Sequence, residues 1–552
     1  MNENLSTLLE AIADANPDHR ALIQGDRTFT WGQFDERASR LAGHLAAAGV
    51  GRGDRVAIDL YNSIEYLEAL LAATKLRAAP VNVNYRYRES ELAYVLDNSR
   101  SRALVFHQRL APTVAAVATA SRDLTALVMV RDGTDGDVDG AMEYESALAA
   151  HEPAPRIERS GDDELVTYTG GTTGMPKGAV WKHRNLVTHV NRGYEQAGYA
   201  TPTTAAEQGA MSAVIREQAP TISLAIPPLM HSTAMVVTLR SLLVAGTVVI
   251  PTKRSFDPHH ILELIAEHRV NDLTVVGDVV GKPLLAALDE ARAAGKPYDV
   301  SSLRTVTSSG VTFSAATKLG LVAHGDFVIT DVLACTEGGP FALSITKPGD
   351  DEAAVQFRIT PNARLLDDEL RDIAPGSGRV GRLAAKGSLP DGYLGDPEKS
   401  ASTWIVLDGE RWVMPGDYAS VEPDGTLQLY GRGSGVINTG GEKVFADEVQ
   451  MVIAADPRVR DAVVVGVPDE RWGERVAAVV VAEPNAALTE EDVGDIVDTE
   501  LADYKKPRQV RFVDEIRRKA TGKADLVWAA EISATPAVEP RSPSGSSAAP
   551  TP

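Results

Sequence analysis

Hydrophobic positions in the first half of the chain follow two alternating periods. Apolar and small residues recur at helical spacing over residues 34–48, whereas residues 55–60, 103–106 and 126–130 form short apolar runs typical of strands. Such alternation predicts an α/β fold. The run 272–276 is apolar almost throughout, which favours a parallel sheet covered on both faces. We therefore expect a ligand site at the carboxyl ends of these strands.

The pattern changes near residue 430. A Gly-rich segment there is followed by a predicted helix and two predicted strands, over residues 448–455, 461–466 and 475–482. We therefore predict a large amino-terminal domain of layered sheets and helices over residues 1–432 and a small α+β carboxyl-terminal domain over residues 433–532. Residues 533–552 are rich in Pro, Ser and Ala and are predicted to be a disordered tail.

Length and charge narrow the class of protein. At 552 residues the chain exceeds the size of one hydrophobic core, which agrees with at least two domains. The formal net charge of -21, from 76 acidic and 55 basic residues, repels phosphate backbones, so nucleic acid is not an expected partner. Small molecules are the expected partners, and a homo-oligomer is compatible with the sequence.

Targeting signals are not expected in this chain. The stretch 234–250 contains Arg240 and is shorter than the ~20 residues that cross a bilayer, so it predicts a buried helix and strand. Acidic residues stand near the amino terminus where a signal peptide carries basic ones. The single cysteine, Cys335, excludes an intrachain disulfide and suits a reducing compartment. We expect a cytoplasmic protein.

The strongest chemical signal is the segment 168–178, Tyr-Thr-Gly-Gly-Thr-Thr-Gly-Met-Pro-Lys-Gly. Its glycines let backbone N–H groups approach a phosphate, and its threonine hydroxyls add donors. A Walker A loop is excluded because no Gly-Lys-Ser/Thr is present, and a plain Gly-rich turn between strands is the alternative. The predicted phosphate-binding residues are Thr169, Gly170, Gly171, Thr172, Thr173, Gly174 and Lys177.

This segment resembles the phosphate loop of the adenylate-forming superfamily, which includes acyl-CoA synthetases, luciferases and peptide-synthetase adenylation domains. The superfamily's other motifs follow in order, as Thr336-Glu337, Asp417, Arg432 and Lys523. The resemblance extends from about residue 5 to residue 530. It implies that Thr336 contacts the nucleotide phosphate and that Glu337 binds Mg²⁺, a cation that prefers hard oxygen ligands.

The resemblance also implies contacts to the nucleoside. Asp417 matches the aspartate that accepts hydrogen bonds from both ribose hydroxyls, although a Pro-Gly-Asp turn explains the local sequence equally well. Arg432 is a second ribose or phosphate contact. Ser309 and Gly310 match the platform for adenine, and Asp331 is grouped with the nucleotide-binding residues. Many members place a stacking tyrosine at the position of Leu333, so the base contact here is expected to be aliphatic.

The small domain is expected to be mobile. In the family it turns about a hinge, here Ser434 in place of the usual Asp or Lys, and so brings different groups to one site. Lys523 would bridge the carboxylate and the α-phosphate during adenylation, and then leave. Gly440 and Gly441 would let the pantetheine arm of coenzyme A pass close to the backbone.

Two further residues have competing interpretations. His231 is at a position where relatives carry an aromatic residue or histidine beside the acyl pocket, but a packed histidine at a helix start explains it about as well. Cys335 adjoins Thr336, yet the sequence shows no partnered base for a nucleophile, and we interpret the thiol as a small core residue.

The particular residues of the phosphate loop and of the Gly-rich segment near residue 430 look most similar to those of bacterial fatty-acyl and steroid side-chain CoA ligases. The expected activity is an AMP-forming acid–thiol ligase that uses ATP, Mg²⁺ and coenzyme A on a hydrophobic carboxylic acid, either a medium- or long-chain fatty acid or a steroid side-chain acid. Two alternatives stay open: an acyl-AMP ligase that delivers to a carrier protein, and a catalytically idle nucleotide-binding homologue.

The predicted role of Lys523 can be tested by measuring the two half-reactions separately. Lys523→Ala should suppress formation of the acyl-adenylate and spare thioester formation from supplied acyl-AMP, because its ammonium stabilises charge only in the first step. Pyrophosphate exchange and thioester formation measure the two steps. Equal loss of both would contradict this role.

Overall fold

The computed structural model describes residues 3–169, 175–191, 193–196, 198–311, 313–351, 354–432, 436–484, 486–517 and 524–534. Helices and strands alternate through the first half of the chain, as predicted. The helices are α1 (Leu5–Ala15), α2 (Trp31–Ala47), α3 (Ile64–Lys75), α4 (Glu89–Ser99), α5 (Ala111–Ala118), α6 (Tyr144–Ala150), α7 (His183–Val190), α8 (Gly193–Gln196), α9 (Ala205–Gln218), α10 (Ser232–Leu242), α11 (Pro258–His268), α12 (Gly277–Ala293), α13 (Ala315–Val322), α14 (Pro397–Thr403), α15 (Ala446–Ala455), α16 (Glu490–Glu500) and α17 (Leu526–Ala534).

The strands are β1 (Arg20–Gln24), β2 (Arg27–Thr30), β3 (Arg55–Asp59), β4 (Ala79–Asn82), β5 (Ala103–His107), β6 (Ala126–Val130), β7 (Ala141–Glu143), β8 (Glu164–Thr169), β9 (Lys177–Lys182), β10 (Ile222–Ala225), β11 (Thr247–Val249), β12 (Asp272–Val275), β13 (Thr305–Ser309), β14 (Val328–Cys335), β15 (Gly338–Thr346), β16 (Arg358–Ile359), β17 (Ala363–Leu366), β18 (Gly381–Lys386), β19 (Gly392–Tyr393), β20 (Trp404–Leu407), β21 (Glu410–Val413), β22 (Asp417–Val421), β23 (Leu427–Arg432), β24 (Val436–Thr439), β25 (Glu442–Phe445), β26 (Val459–Asp469), β27 (Gly473–Ala482) and β28 (Gln509–Phe512).

Two large sheets form the centre of the molecule. Sheet A has the order β16-β15-β14-β13-β12-β10-β11-β1-β2, and sheet B has the order β19-β9-β8-β4-β3-β5-β6-β7. In sheet A the neighbouring strands β14-β13-β12-β10-β11-β1 are parallel, and in sheet B the neighbouring strands β8-β4-β3-β5-β6-β7 are parallel. The remaining strands of both sheets are antiparallel to their neighbours. Strand β12 is buried along its whole length, which confirms the prediction of a parallel sheet covered on both faces.

Two smaller sheets follow along the chain. Sheet C is antiparallel, with the order β20-β21-β18-β22-β23 and β17 beside β18. Sheet D has the order β25-β24-β27-β26, with β28 beside β27, and is built from strands after residue 435. A separate hydrophobic core lies between sheet D and helices α15 and α16. The predicted α/β fold class is confirmed, while the boundary at residue 432 stays a prediction.

Buried charges in the large domain are neutralised by partners. Helix α3 begins after Ser63, whose side chain caps it, and is buried on all sides, including Glu68 and Lys75. Arg37 lies 2.6 Å from the Glu68 carboxylate, and Lys75 lies 2.7 Å from that of Glu10. Because each charge has a partner, this helix can pack between α1 and α2 with ionised side chains in the core.

The apolar stretch 234–250 forms most of α10 and all of β11, as predicted. Within the described ranges, no helix is both long enough and apolar enough to cross a membrane.

Asp59 is a buried acid at the carboxyl end of β3. Asp59 is 4% exposed, and its Oδ1 atom has no hydrogen-bond partner among the residues that the structure describes. Burial raises the pKa of this carboxyl to about 7. The carboxyl thus holds its proton in the folded chain at pH values where the unfolded chain has lost it.

Asp59→Asn should therefore flatten the pH dependence of stability. Because the folded state holds this proton more tightly than the unfolded state, the free energy of unfolding is highest below about pH 4 and falls as the pH rises through about 7. At ~1.4 kcal/mol per pKa unit, we expect the wild type to lose on the order of 1–4 kcal/mol more than the variant between pH 4 and 8. Urea unfolding across this range measures the difference. Asp139→Asn, at an exposed acid, is the control, and parallel curves for wild type and Asp59→Asn would contradict the interpretation.

Candidate active site

The predicted phosphate loop joins two antiparallel strands at one end of sheet B. Thr169, the last residue of β8, pairs with Lys177, the first residue of β9. The Lys177 ammonium lies 3.4 Å from an Asp396 carboxylate oxygen and 5.6 Å from the centroid of the Tyr393 ring. The other predicted members of the loop, Gly170, Gly171, Thr172, Thr173 and Gly174, lie outside the described residues, so their roles stay predictions.

Thr336 and Glu337 form a two-residue turn between β14 and β15, in which Cys335 pairs with Gly338. The Glu337 residue is 7% exposed. The Tyr393 hydroxyl donates to its Oε1 atom at 2.7 Å, and the Trp404 indole N–H donates to its backbone carbonyl at 3.1 Å. Since β14 lies in sheet A, Tyr393 in sheet B and Trp404 in sheet C, three sheets meet at this turn.

The turn also has a backbone requirement. Gly338 adopts a φ of +147°, and a Cβ atom there would lie 2.5 Å from Leu389 Cδ2. Only glycine fits both the conformation and the space. The Gly after the Thr-Glu pair therefore lets the turn pack directly against Leu389.

The electrostatics of the turn keep the Tyr393 hydroxyl protonated. Burial raises its pKa strongly, and the neighbouring Glu337 carboxylate raises it further. The hydroxyl therefore stays a donor that fixes the carboxylate. On the other side, the Ser232 hydroxyl donates to Thr336 Oγ1 at 3.2 Å, which ties the turn to the start of α10.

A mostly apolar pocket lies behind the turn. Its walls come from β9, α7, α10 and the β14–β15 turn, namely Trp181, Leu186, His189, Ser232, Met235, Val236, Ala334, Cys335, Thr336 and Gly338. Cys335 is half-buried in this wall, with its thiol 3.5 Å from the Gly338 carbonyl oxygen, which favours the packing role. The pocket is thus lined by Thr336, predicted to contact phosphate, and adjoins Glu337, the predicted metal ligand.

The predicted nucleotide residues of sheet A share one edge. Ser309 ends β13 and Thr336 follows β14, a parallel neighbour, so both lie at carboxyl strand ends. The Ser309 hydroxyl donates to the Val332 carbonyl at 2.7 Å. Gly310 follows with a φ of +103°, and a Cβ there would meet no heavy atom of the described residues within 4 Å. Leu333, at the predicted adenine platform, is partly buried against a core cluster.

Asp331 is turned into the core instead of towards this edge. The residue is 2% exposed, and one carboxylate oxygen lies 3.8 Å from the Lys318 ammonium. Burial raises the pKa of Asp331 to about 7, against the opposing effect of Lys318. This placement disfavours direct nucleotide contact and indicates a structural role. The sequence motif alone does not predict which face of β14 carries the Asp331 side chain.

Asp417 and Arg432, predicted to bind the ribose, are brought together by the strand register. Asp417 opens β22 and pairs with Arg432, the last residue of β23. Gly416, with a φ of +99°, makes the turn into β22. The two residues are thus neighbours in sheet C although 15 positions separate them. Ser434 and Lys523 lie outside the described residues, so the hinge and the adenylation lysine stay predictions.

Gly440 and Gly441 form the tip of the β24–β25 hairpin, with φ of +60° and +88°. A Cβ on Gly440 would lie 2.6 Å from Trp472 Cε3, and one on Gly441 would lie 3.0 Å from Val276 Cγ1. Val276 follows β12, so the tip reaches the carboxyl edge of sheet A. The close approach of Trp472 and Val276 leaves no room for a side chain at either glycine, while the passage of the pantetheine arm beside them stays a prediction.

His231, in the large domain, contacts the β24–β25 hairpin of the small domain. It precedes α10, and its Nε2 atom lies 3.3 Å from a Glu442 carboxylate oxygen at the base of the hairpin tip. Arg86 contacts the same oxygen at 2.9 Å. Although burial opposes it, the charges of His231, Arg86 and Lys505 keep the pKa of Glu442 below its usual value. The described contact of His231 is thus to the small domain, whereas the next residue, Ser232, lines the apolar pocket.

The comparisons with known proteins agree with this architecture. The sequence profile of the AMP-binding enzyme family matches residues 9–394, and that of the AMP-binding enzyme C-terminal domain matches residues 448–523. Among solved structures, the amide bond synthetase McbA of Marinactinospora thermotolerans has a TM-score of 0.77 at 24% identity, covering 96% of this chain and 99% of that one. The o-succinylbenzoate CoA synthetase of Bacillus subtilis has a TM-score of 0.77 at 20% identity, covering 96% and 98%. These two share the fold.

Relatives are found at higher identity. The 3-oxocholest-4-en-26-oate–CoA ligase of Rhodococcus rhodochrous is 39% identical over 534 residues, with 95% of each chain covered. A medium/long-chain-fatty-acid–CoA/3-oxocholest-4-en-26-oate–CoA ligase of Mycolicibacterium smegmatis is 38% identical over 536 residues, with 96% of each covered. The chain belongs to the AMP-binding enzyme family, which confirms the resemblance to adenylate-forming enzymes.

Tyr393→Phe should slow adenylate formation by about tenfold, because a hydrogen bond to a charged group contributes ~1.5–3 kcal/mol and its loss frees the Glu337 carboxylate. The ring contact with Trp404, at 4.8 Å between centroids, is kept. Pyrophosphate exchange measures the rate, and thermal unfolding checks the fold. Tyr298→Phe, remote from the turn, is the control. An unchanged exchange rate in Tyr393→Phe would show that the hydroxyl does not position Glu337.

Proposed function

We propose that this protein is an ATP-dependent, AMP-forming acid–thiol ligase that converts a hydrophobic carboxylic acid into its coenzyme A thioester. The observation that carries the proposal is the Thr336-Glu337 turn, which joins an apolar pocket to a buried carboxylate at the carboxyl edge of a parallel sheet. An acid lying in this pocket would present its carboxylate where the nucleotide phosphates are expected.

The first step makes the acid a better acyl donor. A carboxylate oxygen attacks the α-phosphorus of ATP, the bond to the β-phosphate bridging oxygen breaks, and pyrophosphate leaves. Thr336 contributes a hydroxyl at this point, and Lys177, which lies over the Tyr393 ring, contributes a cation. Thr172, Thr173 and Lys523 are proposed to stabilise the remaining charge.

A magnesium ion fits the donor set. Glu337 supplies a hard carboxylate oxygen, and Mg²⁺ usually completes its shell with substrate phosphates and waters instead of a full set of protein ligands. Bound there, the ion would neutralise phosphate charge. The protein's own contribution is to hold the carboxylate, through Tyr393 and Trp404, at one place on the sheet edge.

The second step transfers the acyl group. The thiol of coenzyme A attacks the acyl carbon, the bond to the AMP oxygen breaks, and the thiol proton is lost to solvent. The Gly440-Gly441 tip supports this step because Gly441 lies against Val276, and the next residue, Glu442, contacts His231 just before α10, whose Ser232 lines the pocket. A side chain at either position would obstruct a pantetheine arm.

The lining of the pocket favours an apolar acid. Trp181, Leu186, Met235 and Val236 supply much of its wall. Relatives are named as ligases of 3-oxocholest-4-en-26-oate and of medium- and long-chain fatty acids, which supports a steroid side-chain acid or a fatty acid of similar length here. The single cysteine supports action in the reducing cytoplasm.

The test is release of AMP and pyrophosphate from ATP, with and without coenzyme A, across short, medium and long fatty acids, aromatic acids and steroid carboxylates. We expect coenzyme A-dependent AMP release with the bulky apolar acids. Pyrophosphate release without any thioester would indicate a carrier-protein acceptor instead. No release with any acid would favour the idle homologue and contradict the proposal.

Val236→Trp should shorten the pocket and shift acid preference. The added ring volume should raise KM for long or steroid acids by about tenfold or more while leaving short acids within about twofold, since one or a few methylenes are each worth ~1–3 kcal/mol in a hydrophobic pocket. Steady-state kinetics on the same acid series measures the shift. Val214→Trp, at an exposed position on α9, is the control. An equal change for all acids would place the acyl chain elsewhere.

A further inference from the structure

A buried cation connects the two domains. Lys505, in the small domain, is 3% exposed and donates to Glu448 of α15 at 2.8 Å. It also donates to Glu91 of α4, in the large domain. Glu91 is 1% exposed and Glu448 is 3% exposed. One ammonium is therefore shared by two buried carboxylates that belong to different domains.

The surrounding contacts show that this cation is the centre of a docking surface. Ser90 donates to the Glu500 carbonyl at 2.9 Å, and Asn84 lies 3.4 Å from the Tyr504 hydroxyl. At the rim, Arg88 pairs with Asp498 at 2.7 Å, with both side chains more than a third exposed. Exposed pairs of this kind contribute little. Loss of the buried Lys505 cluster should therefore weaken docking more than loss of the exposed pair.

The charge balance of the cluster depends on docking. Burial raises the pKa of Glu448 to about 7, although Lys505 opposes this, and the charges of both carboxylates outweigh burial to raise the pKa of Lys505. When the domains separate, Glu91 and Lys505 lose each other and regain water. Their interaction is therefore specific to the docked arrangement.

The cluster also sits at the root of the hairpin that reaches the site. Glu448 lies in the first turn of α15, which begins directly after β25, and β25 ends the hairpin whose tip is Gly440-Gly441. The chain of contacts from Glu91 through Lys505 to Glu448 thus ties the hairpin root to the large domain.

We propose that Glu91 and Lys505 are positioning residues for the thioester-forming step, which hold the small domain in the arrangement that presents the Gly440-Gly441 tip to the large domain. The inference rests on the two-step function proposed above. It assigns neither residue a contact with substrate. Glu91 acts only when the domains are docked in this way, so its charge should affect one half-reaction and not the other.

Glu91→Gln is the informative variant. Glu91 also accepts a hydrogen bond from the Arg88 backbone N–H at 3.1 Å at the start of α4, and glutamine fills that position equally well. The substitution thus removes the charge facing Lys505 and keeps the helix cap. Thioester formation from supplied acyl-AMP should fall by about tenfold or more, because breaking a buried pair is strongly unfavourable. Adenylate formation should change by less than about twofold.

Two further variants control the result. Glu89→Gln changes an exposed acid in the same helical turn and should leave both steps unchanged. Glu91→Asp keeps the charge and should retain more of the thioester step than Glu91→Gln. Thermal unfolding of each variant shows whether it is folded, and Glu91→Asp serves as the test if Glu91→Gln does not fold.

A second readout does not require activity. Ser90→Cys and Glu500→Cys, combined in a Cys335→Ser background, place thiols on the two domains at an observed contact, so their oxidative crosslinking reports docking. Adding Glu91→Gln should slow crosslinking several-fold. Equal loss of both half-reactions, or unchanged thioester formation with unchanged crosslinking, would overturn the proposal. If no acid is adenylated, the proposed function fails, and the crosslinking rate alone still decides whether Glu91 holds the domains together.

Discussion

Three sheets of the large domain meet at the buried carboxylate of Glu337. Glu337 lies in a two-residue turn of sheet A, receives a hydrogen bond from Tyr393 of sheet B, and accepts the Trp404 indole N–H of sheet C at its carbonyl. A buried acid is costly unless it is hydrogen-bonded, so these donors and the packing of three sheets determine one another. Thr336 of the same turn also lines the apolar pocket. In the proposed function, acid recognition and phosphate chemistry therefore lie side by side.

The small domain meets this centre through charge as well as shape. Its hairpin tip touches Val276, its Glu442 faces His231, and its Lys505 is shared with Glu91. The proposed mechanism requires this domain to present two different surfaces to one site, so it needs contacts that are strong when made and can form again after they break. Ion pairs meet this need, because both partners regain water on separation. The interface is thus suited to exchange of positions as well as to binding.

Much of the fold follows from local sequence, and part of the site does not. The strands at 55–60, 103–106 and 126–130 and the helix at 448–455 were predictable because apolar period and length are local properties. The phosphate loop and the Thr336-Glu337 pair were predicted from their motifs and from the order of those motifs along the chain. No local sequence pattern marked Tyr393, Glu91 or Lys505 as functional, because their partners are distant in sequence. Tyr393 and Glu337 are 56 positions apart, and Lys505 and Glu91 are 414 positions apart. For Asp331 the motif suggested nucleotide contact, but its side chain faces Lys318 in the core.

The central claim is that this protein activates a carboxylate by joining it to AMP. The most direct measurement uses a bulky apolar acid labelled with ¹⁸O in its carboxylate, together with ATP and coenzyme A, and determines the label in the products by mass spectrometry. The account predicts one labelled oxygen in the AMP released for each thioester formed, because the carboxylate oxygen attacks the α-phosphorus and leaves with it. Unlabelled AMP, or label in inorganic phosphate with ADP as the nucleotide product, would contradict it.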